Sequence, residues 1–255
     1  MCLFKLIDHN WDSNMSKKEN VPPRRIFLQK TLAIIPLTAL GSNLITMDSL
    51  AATSHSPNNL STLYSPLFFN EIEWQFVLAA TNRLIPADQY GPGAVDEGIP
   101  IFIDKQMEQP YGYGHLWYMH GPFATSVPEL GYQSPLTPRD LWRNGIQDVN
   151  VWCQQHHNKM FAELETAEQD EILTQLENGA LELSSVPSEL FFTQMLENTK
   201  EGYFSDPIHG GNQTMASWKL IGFPGARADY QQVMDNPGQP YPLGPVSISG
   251  KKRGI

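Results

Sequence analysis

From residue 70 onward, apolar side chains recur three or four positions apart, the spacing that gathers them on one side of an α-helix. In FNEIEWQFVLAATNRLIPAD, Ile72, Phe76, Ala80 and Leu84 recur every fourth residue, Asn70 stands at the N-cap position and Pro86 ends the run. Residues 95–108 predict a second, shorter helix with Ile99, Phe102, Ile103 and Met107 on its apolar face. A third opens at Thr137 and Pro138 and carries Leu141, Trp142, Ile146, Val149, Trp152 and Cys153. Thr166 with Gln169 reads as a capping box ahead of Ile172, Leu173 and Leu176, and Gly179 closes that helix. Pro187 and Ser188 open another with Leu190, Phe191, Met195 and Leu196, and MASWKLIGF predicts a short last one. No alternating strand pattern, internal repeat or second domain boundary interrupts the series. The fold class expected is mainly α: a single compact helical domain over residues 67–255, with long ordered loops.

Periodicity fails in two places. Residues 109–136, QPYGYGHLWYMHGPFATSVPELGYQSPL, are dense in glycine, proline and aromatics. A loop of that length inside a compact domain is usually functional or lies against something. Its aromatics need burial that the domain's own core need not fully supply. The tail from Gly225 to Gly250 carries Pro237, Pro240, Pro242 and Pro245 and also reads as loop.

The front of the chain has a different pattern. PPRRIFLQK puts Arg24 and Arg25 next to each other, followed by Phe27, Leu28 and a weakly apolar run through Ile45. That is the layout of a twin-arginine export signal. Lys30, Pro36, Gly41 and Asn43 interrupt the run, so it is too short and broken to span a bilayer stably. Two details depart from the usual motif: Pro23 stands where Ser or Thr is common, and the lysine comes one place late. Ser49-Leu50-Ala51 suits a signal peptidase, so residues 1–51 are expected to be leader and the Ser-, Asn- and Pro-rich stretch 52–66 a flexible lead-in. Met15 opens the basic MSKKEN and is the expected true start, with residues 1–14 an N-terminal extension. The signal implies a periplasmic protein carried by the twin-arginine translocase.

Charge and cysteine content narrow the class. The chain holds 17 Lys and Arg against 27 Asp and Glu, and six of the former and four of the latter lie in the leader, which leaves a mature net charge near −12. Such a surface argues against nucleic acid or anionic lipid as a partner. Of the two cysteines only Cys153 survives processing, so it is either a bridge to another chain or a buried inert thiol.

Chemistry-bearing motifs are scarce. There is no C-x-x-C-H for haem, no dinucleotide fingerprint between strand and helix, and no phosphate loop. His115 and His120 bracket LWYM, His156 and His157 are neighbours on a helix, and His209 follows Asp206. Adjacent helical histidines point about 100° apart, so metal ligation is a minor reading. Asp206 with His209 could support acid–base work, yet no nucleophile stands in a recognisable setting. No catalytic, cofactor-binding or metal residue is assigned to this chain. A signal for folded cargo on a chain without a cofactor site is explained most simply by a partner that holds one.

Several blocks resemble the gluconate 2-dehydrogenase subunit 3 family. They are NRLIPADQYGPGAVDEGIPIFIDKQ (82–106), YGYGHLWYMHGPF (111–123), ELGYQSPLTPRDLWRNGI (129–146), EGYFSDPIHGGNQTMASWKLIGFPGARADY (201–230) and GPVSISG (244–250). They cover most of residues 70–250. The resemblance implies a three-part complex: a glucose–methanol–choline-type flavoprotein that holds FAD and oxidises gluconate, glucose, fructose or sorbitol, a multihaem cytochrome c that takes the electrons to the membrane, and this small subunit, which binds, helps mature and exports the flavoprotein. It also implies an intersubunit disulfide at Cys153, read as a partly exposed helical position. Tyr111, Tyr113, Trp117, Tyr118 and Phe123 become candidate interface residues, with packing over the chain's own helices as the competing reading. The YFSDP turn reads as a structural lock. Two other classes stay open: a self-sufficient periplasmic enzyme with a His/Asp metal site, and an export chaperone that leaves its client after transport.

Overall fold

The computed structural model describes residues 64–123, 130–228, 234, 238–239 and 241–250. The expected export signal, with Arg24, Arg25, Phe27 and Leu28, lies outside the described residues, as do positions 52–63 of the lead-in. Among the described residues the chain forms six α-helices: α1 (Glu71–Leu84), α2 (Ile99–Met107), α3 (Pro138–His157), α4 (Thr166–Glu177), α5 (Ser188–Phe204) and α6 (Ala216–Ile221). Short 3₁₀ turns stand at Phe161–Glu163 and Pro207–His209. Extended backbone pairs there only as isolated bridges, Asp88 with Gly91 and Gly225 with Val246.

Caps set the helix starts. At α1 the Asn70 side chain accepts from the Glu73 amide (3.0 Å) and the Glu73 carboxylate accepts from the Asn70 amide (2.9 Å). Thr137 and Asp140 do the same for α3, at 3.2 and 3.3 Å. Two expectations need correction. In α1 the buried stripe is Phe76, Val77, Ala80 and Thr81, while Ile72 is exposed and Leu84 only half-buried. A strict step of four overshoots the helical repeat by about 40°, so Ile72 and Leu84 end about 120° apart. In α4 the box shifts by one residue: the Glu168 carboxylate accepts from the Glu165 amide at 3.0 Å. Gln169 turns inward and donates to the Phe161 carbonyl at 3.0 Å.

Helix α5 is the centre of the domain, packed against α1, α2, α3, α4 and α6. Glycines permit its closest approaches. Gly145 of α3 lies on the Phe191 ring, where a Cβ would overlap the ring carbons, and Gly202 faces Phe102 and Ile99 of α2. An aromatic chain runs through the core: Phe69 against Trp142, Trp142 against Phe191, Phe191 against Phe76 and Phe76 against Phe161, with centroids 4.7–6.2 Å apart.

Three buried carboxylates fasten irregular segments to this core. Asp104 accepts from the Tyr64 hydroxyl (2.8 Å) and from the amides of Leu67, Phe68 and Phe69 (2.8, 3.0 and 3.1 Å). Glu97 accepts from the amide (2.9 Å) and hydroxyl of Thr214. Asp206 accepts from the Ile208 amide (3.0 Å), the Ser247 hydroxyl (2.6 Å) and the Ile248 amide (2.8 Å). Among the described residues none of the three has a Lys or Arg ion-pair partner. Fixed donors, rather than a cation, compensate the burial of their charge.

Candidate interaction surface

The aromatic loop divides into anchors and presented groups. Tyr111 points inward, and its hydroxyl accepts from Asn198 Nδ2 (2.7 Å) and Gln194 Nε2 (2.5 Å) of α5. Asn198 is the hub of that network: its Oδ1 accepts from Trp142 Nε1 (3.1 Å), and its Nδ2 also donates to Glu201 (3.0 Å). Burial pushes the Tyr111 hydroxyl up to about 12, against the opposing pull of the Asn198 hydrogen bond, so it stays a neutral phenol. Trp117 packs edge-on to Tyr111 (5.4 Å) and against Tyr132 (4.5 Å), whose hydroxyl donates to the Leu136 carbonyl at 2.7 Å.

Tyr113 and Tyr118 face out; Tyr118 is 81% exposed. Tyr113 is held by Arg139, whose guanidinium carbon lies 4.4 Å from both the Tyr113 and Phe68 ring centroids. Arg139 is itself fixed by the Met107 carbonyl (2.7 Å) and the Glu108 carboxylate (2.8 Å). His115 stacks on Tyr113 at 5.8 Å. Phe123 is half-buried. The two readings of the loop therefore both apply, to different residues: Tyr111 packs onto α5 with Trp117 lying between it and Tyr132, whereas Tyr113 and Tyr118 present aromatic surface to solvent.

Cys153 is a free thiol with no exposed surface. The partly exposed position expected for it is thus corrected: Ile146, Val149 and Cys153 form one buried stripe of α3. Burial pushes its ionisation up to about 12, which leaves almost no thiolate at neutral pH. A disulfide requires the two Cα atoms within about 7 Å. A bridge from Cys153 therefore needs the inner face of α3 to be uncovered first.

The histidines do not converge. His156 stacks on Trp152 (4.1 Å) with Nδ1 at 2.8 Å from the Trp152 carbonyl. His157 lies 3.4 Å from Glu168, and His120 packs near Tyr118. Among the described residues no group of three or more His, Cys, Asp or Glu is placed to hold a metal ion. Asp206 serves as a clamp between the Pro207–His209 turn and the 247–248 stretch of the tail. Burial alone would raise its pKa, but hydrogen bonds from Ser247, Ile248 and Ile208 outweigh this and hold it below the usual carboxylate value. The Glu97 and Asp104 clamps went unmarked in the sequence. Their only local signal is an acidic residue beside or within a strongly apolar helix, as in EGIPIFIDKQM.

Comparison with known proteins adds one result: residues 71–225 match the family model described as Gluconate 2-dehydrogenase subunit 3. No curated protein and no solved structure matches the chain.

Proposed function

Because the chain belongs to the gluconate 2-dehydrogenase subunit 3 family, we propose that it is the non-catalytic small subunit of a periplasmic sugar or polyol dehydrogenase. In this reading it binds a glucose–methanol–choline-type flavoprotein, helps it mature and carries it out through the twin-arginine translocase. The partner flavoprotein would hold FAD and oxidise the CH–OH group of the sugar, and a multihaem cytochrome c would pass the electrons on to the membrane. This chain supplies surface, rigidity and the export address. The observation that carries the reading is the family match over residues 71–225, a span that includes both the aromatic loop and the Asp206 turn. Support comes from Tyr113, an exposed aromatic held by Arg139 over the buried Phe68 ring: a side chain fixed in this way loses little conformational freedom on docking, which favours association.

One signal serving two chains gives a direct test. Replacing Arg24 and Arg25 by lysine should leave both this chain and its flavoprotein in the cytoplasm. Fractionation with activity staining reads the result. Periplasmic dehydrogenase activity at the wild-type level in the double variant would overturn shared export.

A further inference from the structure

We propose that residues 64–70 form a strap that keeps Tyr113 in its presented position: Asp104 seats the strap, and Phe68 passes that seating on through Arg139. The inference concerns this chain alone and holds whichever partner the aromatic loop meets.

The strap carries no helix or strand, so its backbone groups need partners from elsewhere. One side chain supplies most of them. The fully buried Asp104 carboxylate of α2 takes the Tyr64 hydroxyl and the Leu67 amide on Oδ2, and the Phe68 and Phe69 amides on Oδ1. The Phe68 carbonyl accepts from Arg143 Nη2 of α3 at 2.9 Å. Rings complete the seat: Tyr64 meets Trp74 of α1 at 5.7 Å, and Phe69 meets Trp142 of α3 at 5.7 Å. The strap is thus tied to α1, α2 and α3 at once, and its seat exists only where those helices have assembled.

Phe68 is where the strap meets the loop. The guanidinium carbons of Arg139 and Arg143 each lie 4.4 Å from the centroid of its buried ring. The same Arg139 carbon lies 4.4 Å from the Tyr113 centroid, and the Arg139 amide donates to the Gly112 carbonyl at 3.2 Å. Met107 and Glu108 accept from the Arg139 guanidinium, and the Phe68 ring backs it. Such cation–ring contacts strengthen where water is excluded, as it is at Phe68. Tyr113 has little else to hold it: its other ring contact among the described residues is His115, which is exposed. Tyr111, two positions earlier, is fastened separately by Asn198 and Gln194 of α5. Loss of the strap or of the Phe68 ring therefore frees Tyr113 and leaves Tyr111 in place.

The test is fluorine NMR of the full chain labelled with 3-fluorotyrosine, in which the lines lost in Tyr64→Phe, Tyr111→Phe and Tyr113→Phe identify three reporters. In wild type all three should lie away from the positions they take in denaturant; a Tyr113 line already at its denatured position would overturn the proposal. Asp104→Asn sets an N–H group against at least one strap amide whichever way its side chain turns. Tyr64 and Tyr113 should then both move to their denatured positions while Tyr111 stays. Phe68→Leu keeps the amide–carboxylate bonds and removes the ring, so Tyr113 should move while Tyr64 and Tyr111 stay. Release of Tyr64 by Asp104→Asn with Tyr113 unmoved would show the strap and the loop to be independent, against the proposal. If Asp104→Asn unfolds the chain and moves all three lines, Phe68→Leu decides. Tyr113 moving with Tyr111 in place sustains the proposal, and Tyr113 unmoved, or moving only together with Tyr111, overturns it.

Discussion

Cys153 lies one turn after Val149 and two after Ile146, a spacing that puts it on the core stripe of α3. The partly exposed thiol that an intersubunit bridge needs lies off that stripe. The buried thiol has measurable consequences. In the folded chain Cys153 should resist a maleimide reagent until denaturant is added, and rapid labelling under native conditions would contradict its burial. Cys153→Ser puts a hydroxyl into an apolar site, at a cost of about 1–3 kcal/mol if it finds no partner. The isolated variant should therefore melt several degrees lower than wild type, and an unchanged midpoint would show that the site is wet. The inward tyrosine was less legible. Nothing local distinguishes Tyr111 from Tyr113 two positions later, because what separates them is Asn198 on α5, 87 positions away.

At the scale of elements, the helices were readable because their signals are local. Asn70 with Glu73, and Thr137 with Pro138 and Asp140, fix helix starts within four residues. The errors were also local: a strict four-residue period in α1 and a box displaced by one residue in α4. The fastening of the loops was not readable, since Glu97 holds Thr214 across 117 positions and Asp206 holds Ile248 across 42. Such pairings depend on tertiary packing and leave no periodicity. The Asp206 clamp makes a pH prediction with a definite sign. Its folded-state pKa lies below the ordinary value near 3.8, so its contribution is fully present above that value and is lost as pH falls through the folded value. Asp206→Asn should lower the melting midpoint at neutral pH, because each charge-assisted bond lost costs about 1.5–3 kcal/mol of stability before relaxation. The gap between variant and wild type should close in acid, below pH 3.8. A gap that is constant from pH 7 to pH 3 would mean that the carboxylate charge is not what fastens the tail.

Across the described residues, α5 organises a helical domain whose irregular segments are fastened by the carboxylates of Glu97, Asp104 and Asp206. Among the described residues two surfaces stay exposed, the Tyr113–Tyr118 side of the aromatic loop and the apolar end at α6. The sequence disclosed the first, because a long aromatic loop stands out against helical periodicity. It concealed the second, because MASWKLIGF predicts a short helix and carries no local signal that Leu220, Ile221 and Phe223 stay exposed. Sequence blocks and family match agree on the gluconate 2-dehydrogenase subunit 3 family, and the exposed surfaces offer the proposed complex places to form. The most direct test is to purify this chain natively through a tag and record its visible spectrum before and after adding gluconate, glucose, fructose or sorbitol. The account predicts an oxidised flavin spectrum in proportion to the small chain, bleached by one of these substrates. A chain that purifies intact without flavin, or with a flavin that none of them reduces, would contradict it.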